Sequence, residues 1–264
     1  MSCLVTGVNA TRLDELVISP TLEGQLRRAD EFIRLAMGCV HEKFAETLAT
    51  GDELRSGLIV GTAFGPMQTN FEVLDLVVSG QQSSPTLFSH SVYNGAAGYL
   101  ARSFSLKAMS ITLTDFGFPF FHALQQAKMA IDSNILDRCL VLQVDSYSTL
   151  LDDIRKQCGL EYERPWLPGC VCWLLESSDC SDSGWSLDKI EAQTIALGGE
   201  KYLDRRDTVR LNGDEQLLTD PLGSAQLLTG QLLVPDPQDE IEFTLTAPYG
   251  DVAVTLSSNP QLQG

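Results

Sequence analysis

The stretch that most constrains this chain runs from Met109 to Leu124, MSITLTDFGFPFFHAL. Ile111 and Leu113 alternate with Ser110, Thr112 and Thr114, the period-two pattern of a pleated strand. From Phe120 to about Ser133 the apolar residues recur every three or four positions, which predicts a helix. Asp115, Phe116, Gly117, Phe118 and Pro119 form the sharp turn between them. In an α/β protein, such a strand-to-helix elbow displays a reactive side chain at the positive end of a helix dipole. Here it displays phenylalanine and glycine, and Asp115 reads as a cap or turn residue.

The flanks are more specific. His90-Ser-Val-Tyr-Asn-Gly-Ala-Ala-Gly-Tyr-Leu100 precedes the strand, followed by Phe104-Ser-Leu-Lys107. Upstream, Arg28-Ala-Asp-Glu-Phe32 lies in a long amphipathic pattern from about Leu26 to Leu48. Ser56-Gly-Leu-Ile-Val-Gly-Thr-Ala-Phe-Gly65 reads as a buried strand ending in a glycine-rich bend before a helix over Met67 to Val78. That bend matches neither nucleotide fingerprint. In this order and spacing, the segments resemble the active-site half of a β-ketoacyl synthase. That family carries an Asn-x-x-Ala-Gly helix, a Tyr-Gly-Leu-Lys/Arg-Gly turn, a strand and then a nucleophilic cysteine. The stretches align without a gap from Ser84 to Leu124. The resemblance places the cysteine position on Gly117 and a histidine common in the family on His122.

Further along, Arg138 to Ser146 is continuous in apolar residues, as buried parallel strands are. Arg164 to Glu176 resembles the strand that closes the first half of the family's fold, and Ser177 to Gly184 reads as a boundary. From Trp185 to the end the pattern predicts a strand over Lys189 to Leu197, then a polar stretch from Gly199 to Gln216. A helix over Leu222 to Leu233 follows, with strands over Ile241 to Leu245 and Val252 to Ser257. A ketosynthase has a much longer second half, supplying two catalytic histidines. The His-Gly-Thr motif has no counterpart here, and the Gly-His-Thr-x-Gly-Ala-Ala motif is echoed by Asp220-Pro-Leu-Gly-Ser-Ala225, with Asp220 at the histidine position. The three histidines are His41, His90 and His122, so none follows residue 122. Taken alone, His41 reads as solvated, His90 as a capping or surface residue, and His122 as a packed or surface residue with no acid to orient it.

The resemblance implies a thiolase-like αβαβα layered fold over residues 1–264, with a ketosynthase-like half over 1–180 and a shortened half over 181–264. It implies no catalytic residue. Leu87, Phe88, Ser91, Tyr93 and Asn94 fall on the family's dimer-interface segment, whose side chains reach toward a partner's acyl tunnel. Phe116 and Phe118 flank Gly117 and are expected to fill the pocket that an active synthase opens. The function implied is that of a chain-length factor. This is an inactive subunit that pairs with an active β-ketoacyl synthase and shapes its tunnel in polyketide or fatty-acid-like synthesis, as in aryl polyene systems. An acyl carrier protein would be met only through that partner. The alternatives are a stand-alone acyl-binding or scaffold protein, and an enzyme using atypical residues.

Charge bears on partners. Eighteen Lys and Arg against 35 Asp and Glu give −17, which argues against nucleic acid and anionic membranes. No apolar run is long enough to span a bilayer and no secretory signal is visible, so the expected location is cytoplasmic. Seven cysteines at irregular spacing read as buried reduced thiols, with no metal or cofactor expected.

Overall fold

A computed structural model describes residues 2–50, 53–82, 84–157, 166–194, 208–217, 220–235, 238–248 and 250–258. The first half contains β1 (Cys3–Arg12), α1 (Pro20–Leu26), α2 (Glu31–Ala49), β2 (Ser56–Thr62), α3 (Met67–Val78), α4 (Pro85–His90) and α5 (Gly95–Ser103). It continues with β3 (Ser110–Thr114), α6 (Pro119–Asp132), β4 (Arg138–Asp145), α7 (Thr149–Gln157) and β5 (Gly169–Ser177). After the turn at 178–184 come β6 (Trp185–Thr194), β7 (Thr208–Leu211), β8 (Asp214–Leu217), α8 (Gly223–Leu233), β9 (Glu240–Ala247) and β10 (Gly250–Ser258).

The strands line up as β3-β2-β4-β5-β1-β6-β10-β9-β7-β8. β2 pairs in parallel with β3 and β4, whereas β5 runs antiparallel to β4 and β1. The two arms of the sheet meet where Leu4 and Val5 of β1 pair with Ser186 and Trp185 of β6. β4 and β5 are buried along their whole length. One face of the first arm meets α2 and α5 through Leu58, Leu140, Cys172 and Leu174, and the other meets α6 and α8 through Ile59, Val141 and Trp173.

α6 lies between the two arms. Phe120 meets the indole of Trp173 on β5 edge-to-face at 5.2 Å, and Phe121 stacks on Phe243 of β9 at 5.2 Å. α8 packs beside it, with Trp173 Nε1 donating to Thr229 Oγ1 at 2.8 Å. The layers are therefore α2 and α5, the first arm, α6 and α8, then the second arm. The outer face of that second arm is open: Glu240, Glu242, Thr244 and Thr246 of β9 alternate with buried Ile241, Phe243, Leu245 and Ala247. Among the described residues no helix covers it.

Several boundaries differ from the sequence reading. The long helix begins at Glu31 rather than Leu26, because Asp30 caps it by accepting from Ile33 N at 2.9 Å. α7, although amphipathic, and the hairpin of β7 and β8, which lacks an apolar period, are absent from the sequence reading. The strand predicted over Lys189 to Leu197 begins earlier, at Trp185, and is described to Thr194, the expectation for 195–197 lying outside the described residues. Cys3, Cys39, Cys139, Cys170 and Cys172 are buried free thiols, while Cys180 is exposed, contrary to the uniform expectation.

α6 approaches β2 so closely that a Cβ at Gly61 would overlap the carbonyl of Pro119. Gly61→Ala is expected to cost about 1–3 kcal/mol, read as a lower denaturant midpoint at unchanged m-value. An unchanged midpoint would show that the helix sits further from the strand.

Candidate functional site

In open α/β sheets, ligands bind beyond the carboxyl ends of parallel strands. The parallel strands β3, β2 and β4 end on one side of the first arm, at Thr114, Thr62 and Asp145. The segments leaving those ends build the candidate site. Phe116 follows β3, Phe64 follows β2, Tyr147 follows β4, and Trp166 approaches from the segment before β5.

These four rings stack into one cluster. Phe64 lies 5.7 Å from Phe116, 5.8 Å from Tyr147 and 5.7 Å from Trp166, with 5.5 Å between Tyr147 and Trp166. The guanidinium of Arg155 sits 4.0 Å over the Trp166 ring. Tyr147 adopts φ 22°, an uncommon backbone for a bulky residue, and its hydroxyl donates to Asp220 at 2.8 Å.

Two carboxylates, Asp145 fully and Asp220 partly buried, hold this arrangement. Asp145 accepts from Thr62 Oγ1 at 2.8 Å, from Ala63 N and Phe64 N at 3.0 Å, and from Gln143 Nε2 at 3.0 Å. Asp145 thereby fixes the bend that aims Phe64. Its full burial nevertheless pushes the carboxyl up to about 6, outweighing the four hydrogen bonds that favour the charged form. Asp220 accepts from Leu222 N at 2.9 Å, at the start of α8, as well as from Tyr147. Burial raises its carboxyl too, against those hydrogen bonds. The position that the resemblance gives to a histidine thus holds a carboxylate that ties α8 to the loop after β4.

At the elbow, Asp115 accepts from Gly117 N at 3.1 Å and Phe118 N at 3.0 Å, and its Oδ2 lies 3.2 Å from His122 Nε2. Half-burial works against its charge, but the His122 bond and the two N–H groups together hold the carboxyl below the usual range. Chemically, the backbone donors that could stabilise an oxyanion at this helix start are engaged by the chain's own carboxylate.

Several sequence expectations need correction. Phe116 does not fill a pocket: it is 64% exposed and caps the ring cluster from outside. Phe118 is 2% exposed and belongs to the core between the arms, because the turn sends it inward beneath α6. His122 has an orienting acid after all, Asp115, on the far side of the elbow before α6. His90 is buried and pairs with Tyr99 Oη at 3.0 Å rather than sitting at the surface. Of the interface segment, Phe88, Tyr93 and Asn94 are exposed, Ser91 is buried, and Leu87 lines a cavity of 580 Å³ with Asp30, His90, Tyr147 and Trp166. Asp145, Phe64, Tyr147 and Trp166 were missed, although β-strand ends followed by aromatic residues were a visible signal for three of them.

The raised Asp145 carboxyl has a consequence with a definite sign. A folded-state value near 6 against 3.8 means the native state holds its proton more tightly, so this group's contribution is present below about pH 4 and lost as pH rises through 6. Between pH 4 and 7 the native protein should lose on the order of 2 kcal/mol from Asp145 relative to Asp145→Asn. Urea unfolding of both proteins across that range checks it. Parallel pH profiles would rule the buried titration out.

No family model matches the chain, and no curated protein matches it. Solved structures do. A ketosynthase (ApeO) in complex with its chain length factor (ApeC) from Xenorhabdus doucetiae matches at 16% identity and TM-score 0.64, covering 97% of this chain and 99% of that one. A type II PKS acyl-carrier protein in complex with its ketosynthase bound to the hexaketide, AntDE:AntF, matches at 14% identity and TM-score 0.67 over 97% and 99%. The ishigamide ketosynthase/chain length factor matches at 14% identity and TM-score 0.62, over 74% of this chain and 68% of that one. The chain thus shares the overall thiolase-like fold of these ketosynthase and chain length factor structures.

Proposed function

We propose that this chain is a chain length factor: a subunit without ketosynthase chemistry of its own that pairs with an active β-ketoacyl synthase and shapes its acyl tunnel. The observation that carries the reading is the state of the strand-end crevice. Glycine stands at the elbow where the resemblance puts the nucleophile, Asp115 engages the elbow N–H groups, and aromatic rings occupy the space above. Decarboxylative condensation needs a thiolate and donors for a developing oxyanion. Neither role has a candidate among these residues.

A partner surface supports the same reading. Val77 and Val78 at the end of α3 are 62% and 79% exposed, and Phe88, Val92, Tyr93 and Phe116 are also exposed. α3 packs against α4, and β3 is one edge of the sheet. Exposed apolar side chains and an open strand edge are features of interfaces. The synthase partner would meet the carrier protein. The charge of −17 on this subunit would repel an acidic carrier.

Co-expression with a candidate partner β-ketoacyl synthase, with a tag on this chain alone, should yield a 1:1 complex by native mass. Its turnover should vanish when the partner's cysteine is replaced. Phe88→Asp combined with Val78→Asp should weaken association by about 10²-fold or more, since each buries a charge in an apolar contact. A stable lone monomer that ignores the synthase would leave the stand-alone binding protein as the better reading.

A further inference from the structure

Between α2 and β5, on the face of the first arm away from α6, three thiols converge. Cys39 projects from α2, while Cys170 and Cys172 share one face of β5, two positions apart. All three are fully buried. Cys39 Sγ lies 3.4 Å from Cys172 Sγ, and each of these two sulfurs also reaches the backbone of the other's element. Cys39 Sγ donates to the Cys170 carbonyl at 3.6 Å, and Cys172 Sγ donates to the Cys39 carbonyl at 3.7 Å. The two side chains are thus already extended across the interface toward each other, whereas Cys170 Sγ turns to the Val171 carbonyl at 3.8 Å. A polar seam flanks the contact. Asn9, opposite Cys172 on β1, donates to the Cys39 carbonyl at 2.9 Å and to the exposed Glu42 at 3.1 Å. Thr11, opposite Cys170, donates to the same Glu42 oxygen at 3.1 Å.

We infer that Cys39 and Cys172 are a dithiol pair that hydrogen peroxide oxidises to an intramolecular disulfide, a covalent tie between α2 and the sheet. A disulfide holds its sulfurs about 2.05 Å apart, so the pair has to close by roughly 1.4 Å, a matter of side-chain rotation rather than refolding. One thiol loses its proton, and its sulfur attacks a peroxide oxygen, expelling hydroxide and forming a sulfenic acid. The second thiolate attacks that sulfur and expels a second hydroxide, and the two released protons convert both hydroxides to water. Two thiols and one hydrogen peroxide give one disulfide and two waters, the sulfurs losing the two electrons that the peroxide gains. Burial pushes the Cys172 thiol well above its ordinary range, which keeps it protonated and slow to react while α2 is seated. The Asn9, Thr11 and Glu42 seam gives water and peroxide a polar route to the sulfurs when the helix lifts. Once made, the bond spans 133 positions of sequence and restricts the unfolded chain far more than the folded one. None of this depends on the chain length factor reading.

The test uses the full chain carrying Cys158→Ser and Cys180→Ser, which leaves Cys3, Cys39, Cys139, Cys170 and Cys172. The folded protein is incubated with hydrogen peroxide, alkylated in denaturant and digested with trypsin. Peptide 35–43, which carries Cys39, should be recovered joined to peptide 157–189, with fragment ions placing the bond on Cys172. The Tm should rise by roughly 5–10 °C and return on addition of dithiothreitol. Cys170→Ser in the same background should leave the link in place. Recovery of Cys39 as an alkylated free thiol or as a sulfinic acid would overturn the pair, as would a bond on Cys170 or a link that leaves the Tm unchanged. Should Cys170→Ser not fold, the fragment ions of the parent chain decide between Cys170 and Cys172.

Discussion

The structure depends on the burial of α6 between two sheet arms. A helix that is covered on opposite sides must be apolar on both, and the sequence of α6 meets that demand with Phe120 and Ala123 toward the first arm and Phe121 toward the second. Everything at the candidate site follows from this placement. Pro119 starts the helix hard against Gly61, so the elbow is pinned to the end of β2, and Asp115 then falls within reach of Gly117, Phe118 and His122. The site is a by-product of how tightly two layers close on one helix.

Electrostatics at the strand ends obey a different logic from packing. Asp145 is buried at the carboxyl end of β4, and Asp220 is partly buried just before α8. Here their oxygens are spent on backbone N–H groups and neighbouring hydroxyls. A carboxylate so surrounded is a strut. The cost of its desolvation is offset by the loop geometry that it enforces, and that geometry is what packs Phe64 against Tyr147 and Trp166.

Much of the first half was legible because its signals are local. The period-two pattern of β3, the apolar run of β4 and the Asp-Phe-Gly-Phe-Pro turn each follow from neighbouring residues. Where the sequence reading failed, the deciding contact was long-range. Phe116 and Phe118 look equivalent in the sequence, two residues apart around a glycine, yet one points to solvent and the other into the core, a difference set by Gly250 and β10 more than 130 positions away. The Asp145 bonds to residues 62–64 and the Tyr147 bond to Asp220 are likewise separations that no periodicity encodes. The hairpin of β7 and β8 was missed because it is polar on both faces of its last strand.

The open face of the second arm bears on the order in which the molecule assembles. β9 and β10 pair as a hairpin and β6 joins β10 from much earlier in the chain, but the three strands own a single apolar face, and α6 supplies much of what that face buries. The second arm has no core without the first. The first arm, by contrast, is sandwiched between α2 and α5 on one side and α6 on the other, and most of its apolar surface is covered by residues before 178. A chain emerging from its amino terminus can therefore complete one hydrophobic layer early. It then presents the flank of α6 as a template on which the last strands condense.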